Sequence, residues 1–378
     1  MRVLTLTPFY PTASDDAAGC FIAEPIRALE QFGIESCVLA VEPFYRARST
    51  PNGHPAKWVR YAAIPGGIGL AFAGAFLYAS LRPKVHTLHR DWNIDLIHAH
   101  AALPCGHAAA LLARELHIPF VVTVHGLDVF FTAQVQGYPG HWCQRVSQSV
   151  YRSATRVICI SRKVANKLAN GLPHSENIEV IHNGVDPTRF SPGQNNPDRP
   201  IVLSVGNLIP TKGHALLLRA FAAVHANYSN LTCELIGDGS ERSRLEKLAQ
   251  DLNIAAKVRF LGQQKRACVS EAVQRCTIFA LPSHYEGLGC VYLEAMSAAK
   301  PAIGCRAQGI EDIIRHGDNG WLVAPHDLSG TVSALSTLLH DVDLRKRIGS
   351  AARKAILAKH TLAHHAAQIA QLYGECVA

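Results

Sequence analysis

A chain of 378 residues has room for two or three domains, each able to bury a full core. With 48% of its residues apolar and 17% charged, it is not a disordered or fibrous chain. The net charge of +8 favours anionic partners, but no basic-aromatic stripe accompanies it, so nucleic acid is not an expected partner.

The amino-terminal run Met1-Arg-Val-Leu-Thr-Leu-Thr-Pro8 is too short for a secretory apolar region and reads as a first strand. Eleven cysteines are scattered singly, without a C-x-x-C pair, which points to a reduced, cytoplasmic chain. Further strands are expected over Ser36–Val41, Asp95–His98, Phe120–Val124, Val157–Ile160 and Glu179–Ile181. Helical patterns over Ile26–Phe32, Gly106–Leu116, Gln144–Ser153 and Arg162–Ala169 separate most of them. One stretch stands apart: the eighteen residues Ile64–Leu81 carry no charge and lead into Arg82, Lys84, His86, His89 and Arg90. They read as a surface or interfacial helix, with a buried core helix and a membrane span as the alternatives.

The polar stretch Ser191–Pro200 interrupts the pattern, and a linker is expected there. The rhythm restarts with strands over Ile201–Val205, Thr232–Ile236, Lys257–Phe260, Thr277–Leu281 and Ala302–Cys305, and a helix over His214–His225. Alternating strands and helices in both halves imply an α/β fold of two doubly wound, Rossmann-like domains, residues 1–192 and 198–359. A terminal helix within 360–378 is expected to cross back to the first domain. Ligands of such sheets bind beyond the carboxyl ends of the strands, so loops that follow strands carry the functional weight.

Two of those loops are informative. In Pro282-Ser-His-Tyr-Glu-Gly-Leu-Gly-Cys-Val-Tyr-Leu-Glu-Ala-Met296 a strand gives way to a glycine-bearing loop and then a helix starting near Cys290. The backbone N–H groups of Leu288, Gly289 and Cys290 would then face an anion at the positive end of that helix. Glu286 in the loop and Glu294 in the helix are acceptors suited to polyol hydroxyls. On spacing alone, two solvated glutamates are an equal reading. The second loop, Gly206-Asn-Leu-Ile-Pro-Thr-Lys-Gly213, sets Lys212 where it can meet phosphate oxygens.

These stretches, together with Asn183-Gly-Val-Asp186 and Pro301–Glu311, resemble the large family-four type of retaining GT-B glycosyltransferases, and the likeness covers nearly the whole chain. The resemblance implies two domains facing a central cleft, a nucleotide-diphosphate sugar as co-substrate, and no metal or other cofactor. It assigns Glu286 to the donor sugar, Glu294 to the ribose and Lys212 to the diphosphate, with Gly206 and Asn207 beside it. The family usually carries arginine where Asn207 stands, so one cation of the diphosphate clamp is missing. In the first domain, Asp95–His100 and Val122–Asp128 match; the resemblance makes His125 a contact to the transferred sugar, and Gly19 a close-approach point for donor phosphate or acceptor. His98, His100 and His107 offer a weak metal reading, without clustered carboxylates to support it. The likeness of the first domain, with its hydrophobic excursion Ile64–Leu81 and Ile97–Pro104, points to bacterial surface-polysaccharide transferases. Their acceptors are glycans or lipid-linked sugars, reached through contact of residues 64–90 with the anionic inner face of the cytoplasmic membrane.

Three other readings compete. A sugar-nucleotide epimerase or a phosphorylase can use facing domains of this kind, and a catalytically silent binding subunit is favoured by Asn207 alone. A nicotinamide dehydrogenase is disfavoured, since no strand leads directly into G-x-G-x-x-G. Front-face attack and a covalent intermediate are equally open for retention.

Overall fold

A computed structural model describes residues 1–13, 15–46, 56–130, 135–172, 176–193, 199–228 and 230–378. The chain forms two compact units, Met1–Asn183 with Leu362–Ala378, and Gly184–Thr361.

The first unit is built from β1 (Arg2–Thr7), α1 (Cys20–Leu29), β2 (Glu35–Pro43), β3 (Ala56–Tyr61), α2 (Gly67–Trp92), β4 (Leu96–His100), α3 (His107–Leu116), β5 (Phe120–Val124), α4 (Gly137–Ser153), β6 (Arg156–Cys159), α5 (Arg162–Gly171) and β7 (Ile178–Val180). Its seven strands pair in parallel in the order β3-β2-β1-β4-β5-β6-β7. Helices cover a parallel sheet on both faces, and every residue of β5 is accordingly buried. β3 escaped the sequence pattern because Ala-Lys-Trp-Val-Arg-Tyr alternates charge with apolar residues on an edge strand. α1 starts six residues earlier than expected and runs through Pro25: the carbonyl of Gly19 accepts the N–H groups of Ile22 (3.0 Å) and Ala23 (3.1 Å), closing its first turn.

The uncharged stretch is the amino-terminal half of α2, a helix of 26 residues. It buries Ala71, Ala73, Leu77, Leu81 and Val85 and leaves Phe72 and Phe76 at 45% and 40% exposure. The core and surface readings are therefore both realised, on opposite faces. No described helix is long and apolar enough to cross a membrane.

The second unit carries β8 (Ile201–Val205), α6 (His214–His225), β9 (Thr232–Ile236), α7 (Arg242–Asp251), β10 (Val258–Gly262), α8 (Arg266–Arg275), β11 (Ile278–Ala280), α9 (Cys290–Ser297), β12 (Ala302–Cys305), β13 (Trp321–Val323), α10 (Leu328–His340) and α11 (Val342–Lys359). The sheet order is β10-β9-β8-β11-β12-β13, again all parallel. In both units the order reverses beside the first strand, between β1 and β4 and between β8 and β11, which is the Rossmann arrangement with its crevice at that reversal. A helix, α12 (Leu362–Val377), closes the fold by packing on α1 in the first unit.

The polar stretch 191–200 lies within the second unit rather than at its border, and its central residues, 194–198, fall outside the described ones. The crossover comes earlier, after Asn183. Segment 184–190 is already held by α8: the carbonyl of Arg189 accepts hydrogen bonds from Ser270 Oγ (2.7 Å) and Gln274 Nε2 (3.2 Å).

Candidate active site

In the second unit the loops after β8 and β11 meet at the sheet reversal. Gly206 N donates to the carbonyl of Ile236 (2.9 Å), and Asn207 projects as an exposed residue. A single 3-10 turn, Pro210–Lys212, then delivers the lysine. Gly213 ends that turn at φ +74°, where a Cβ would sit 2.1 Å from the carbonyl oxygen of Pro282, so only glycine lets the two loops touch. His284 N donates to the carbonyl of Thr211 (3.0 Å), lacing them further.

Lys212 Nζ lies 2.5 Å from Glu286 Oε2, with the side chains 21% and 11% exposed. The sequence places these two groups on different parts of a donor; the fold brings them into one ion pair. Gln308 holds the backbone of Glu286 by accepting its N–H on Oε1 (2.9 Å), and Gly309 N donates to the Glu286 carbonyl (3.2 Å). Gln308 belongs to the Pro301–Glu311 stretch, which resembled the family without revealing this duty. α9 begins at Cys290 beyond Gly289, whose φ is +84°. Leu288 is wholly buried, so the backbone of this turn, not the leucine side chain, is what a ligand can meet.

Glu294 is not solvated. It is 2% exposed, and its Oε1 lies 2.5 Å from Arg266 Nη1 at the start of α8. Arg266 went unnoticed in the sequence because it is separated from Glu294 by 28 positions and sits in no recognisable motif.

In the first unit Gly19 has φ +70°, and a Cβ there would lie 2.6–2.7 Å from backbone atoms of Phe9 and Tyr10. The chain's own packing is sufficient reason for that glycine. His125 follows β5 directly; its N–H donates to both oxygens of Asp128 (2.9 and 3.2 Å). Its ring stands edge-on to Phe21 at 5.0 Å and stacks on His100, with Nε2 at 3.2 Å from His100 Nδ1. His98 is committed on both nitrogens, to Tyr373 OH (2.6 Å) and Thr123 Oγ1 (2.7 Å). Burial depresses the imidazoles: His98 and His125 fall to about 3, and His100 and His365 are lowered too. At neutral pH His125 is therefore an uncharged hydrogen-bonding group. Burial pushes Asp128 the other way, up to about 6, against the lowering effect of backbone N–H groups. A cavity of about 30 Å³, room for a single water, lies among these rings.

No group of three or more histidine, cysteine, aspartate or glutamate side chains among the described residues is arranged to hold a metal. His98 and His100 are engaged as above, while the ring of His107 packs against Gly74 of α2. His365 Nδ1 meets the carbonyl of His182 at 2.8 Å, within the first unit. A cavity of about 750 Å³ is an open groove between α3 and α4 that includes Phe120 and Thr155 at the amino-terminal ends of β5 and β6. That edge is opposite the one bearing His125.

Two Rossmann-like units of all-parallel strands in one chain define the GT-B class of fold, and comparison with known proteins agrees. Residues 186–355 match the family model of glycosyl transferases group 1, and residues 21–189 that of glycosyltransferase family 4. An uncharacterized glycosyltransferase of Methanocaldococcus jannaschii, MJ1178, is 30% identical over 257 residues, 68% of this chain and 69% of that protein. The chain belongs to the family-four glycosyltransferases of the GT-B type. Among solved structures, sucrose-phosphate synthase from Thermosynechococcus elongatus has a TM-score of 0.79 at 21% identity, covering 99% of both chains. Anabaena HepE in complex with UDP-glucose has a TM-score of 0.78 at 21% identity, covering 99% of this chain and all of that one.

Proposed function

We propose that this glycosyltransferase is a retaining, metal-independent hexosyltransferase that moves a sugar from a nucleotide-diphosphate donor to a glycan or lipid-linked acceptor in bacterial polysaccharide synthesis. The observation that carries the donor assignment is the Lys212–Glu286 pair at the reversal of the second sheet, two positions from the backbone turn that opens α9. A diphosphate that arrives there replaces Glu286 as the counter-ion of Lys212. The released carboxylate then accepts hydroxyls of the donor sugar. As the glycosidic bond breaks, charge accumulates on the diphosphate, where Lys212 and the N–H groups of Gly289 and Cys290 are already in place; preorganisation of this kind needs no rearrangement during the reaction. Glu294 takes the ribose hydroxyls, and neutral His125 takes a hydroxyl of the transferred sugar. HepE, of similar fold, is known in complex with UDP-glucose, which supports a uridine-linked donor here.

The exposed Phe72 and Phe76 on α2, with the Trp142 ring tilted beside Phe72 at 5.8 Å, support contact with a membrane that carries the acceptor.

The deciding experiment titrates a panel of nucleotide sugars against thermal stability, using the wild type, Lys212→Ala and Glu294→Ala. Stabilisation by at least one nucleotide sugar is expected, and its loss in both variants. Stabilisation that survives both substitutions sinks the donor site. Anomer analysis of the product then checks retention, and turnover without any acceptor would point to an epimerase instead.

A further inference from the structure

Glu294 is almost wholly enclosed, and an isolated carboxylate in such a place takes up a proton rather than stay charged. Protonated, it would keep fewer acceptor sites and add a donor of its own, so it would no longer select for two hydroxyls. Arg266 answers that difficulty. Its side chain is itself only 11% exposed, its Nη1 lies 2.5 Å from Glu294 Oε1, and its guanidinium lies 4.8 Å over the ring of Phe190. Phe190 is fully buried and belongs to the segment by which the chain enters the second unit. That segment is pinned twice: Phe190 N donates to the Asp186 carbonyl (3.1 Å), and the Arg189 carbonyl accepts from Ser270 and Gln274 on the helix that Arg266 begins. The guanidinium is thus fixed in plane by a ring and in direction by a carboxylate.

Stability alone does not account for the arrangement, because a buried ion pair is commonly no better for folding than apolar residues of the same volume. We propose that Arg266 is a positioning residue for ribose recognition: it keeps Glu294 ionised and in one orientation, so that the donor is read by its ribose hydroxyls. This rests on the assignment of Glu294 to the ribose given above. The crossover segment, through Phe190, sets the position of Arg266 and so belongs to the same device. Lysine cannot substitute fully, since an ammonium has neither the plane that lies on Phe190 nor the fork that meets a carboxylate.

The test is calorimetric titration of the full chain with UDP and with 2′-deoxy-UDP, repeated with GDP and ADP and their 2′-deoxy forms if UDP does not bind. The wild type is expected to prefer the ribonucleotide by about tenfold or more, the usual worth of a hydrogen bond to a charged group. Arg266→Gln is expected to weaken UDP binding and to bring the ribo-to-deoxyribo ratio close to one, with Arg266→Lys between. A purely structural role would weaken both nucleotides equally, and an unchanged ratio overturns the proposal. Should Arg266→Gln fail to fold, Phe190→Leu, which removes the ring but leaves both charges, must lower the ratio; no change there overturns it equally. A preference that persists in Glu294→Gln overturns the ribose assignment itself. If the wild type binds none of the three nucleotides, the donor-site reading falls and this inference with it.

Discussion

Lowering the pH from 7.5 to 5.0 perturbs the first unit through its buried imidazoles. His98, 6% exposed, has its pKa depressed from 6.5 to about 3 by burial and then by His125. A depressed base leaves the unfolded chain to take up the proton first, so its contribution to stability is whole above pH 6.5 and is lost as the pH falls toward 3. At pH 5.0 that loss is about 2 kcal/mol for His98, and a similar amount applies to His125. Asp128 works against them: its pKa is raised from 3.8 to about 6, so protonation favours the native state and returns about 1.4 kcal/mol by pH 5.0. His98, His125 and Asp128 together should therefore cost the first unit between about 2 and 3 kcal/mol, to which the lowered His100 and His365 add, seen as a fall of at least roughly 5–10 °C in its calorimetric transition. His98→Gln should start from a lower transition temperature but lose about 2 kcal/mol less over the same range. A variant whose pH dependence matches the wild type would refute the attribution to His98.

Lys212→Ala leaves the nearly buried Glu286 carboxylate without its cation; the transition of the second unit should fall by about 1–3 kcal/mol, less than for a fully enclosed pair, while the first unit is unmoved in calorimetry. Tyr373→Phe removes the hydroxyl from His98 Nδ1 inside the first core and should cost about 1–2 kcal/mol in urea unfolding; a neutral result would mean that a water replaces it. Charges placed on the exposed face of α2, as Phe72→Glu with Phe76→Glu, should abolish flotation with vesicles containing anionic lipid while leaving nucleotide binding intact.

The doubly wound plan was legible because parallel strands, enclosed on both faces, write themselves as short apolar runs; Phe120–Val124 and Thr232–Ile236 occupy the spans the pattern suggests. Two of the edge strands were not. β3 mixes lysine and arginine with its apolar residues, and β13 is three residues long, too short for any periodicity. The motif residues Lys212, Glu286 and Glu294 announced themselves by type and spacing, but their partners did not. That Glu286 would face Lys212 depends on two loops meeting at a sheet reversal, and that Glu294 would meet Arg266 depends on α8 and α9 packing side by side. Gln308 was hidden for a further reason: it acts on the backbone of Glu286, and a backbone partner leaves no mark in side-chain chemistry.

α12 inserts Ile369, Leu372 and Tyr373 into the same core as Val3, Leu29 and Val121. During synthesis, residues 184–361 can emerge and settle while the earlier-made half still waits for this last piece of its interior. A chain cut short after Thr361 would carry the whole second unit attached to an unsealed first one, its apolar sheet face open to chaperones and proteases. The first interior is thereby completed only by a helix made after the whole of the second unit.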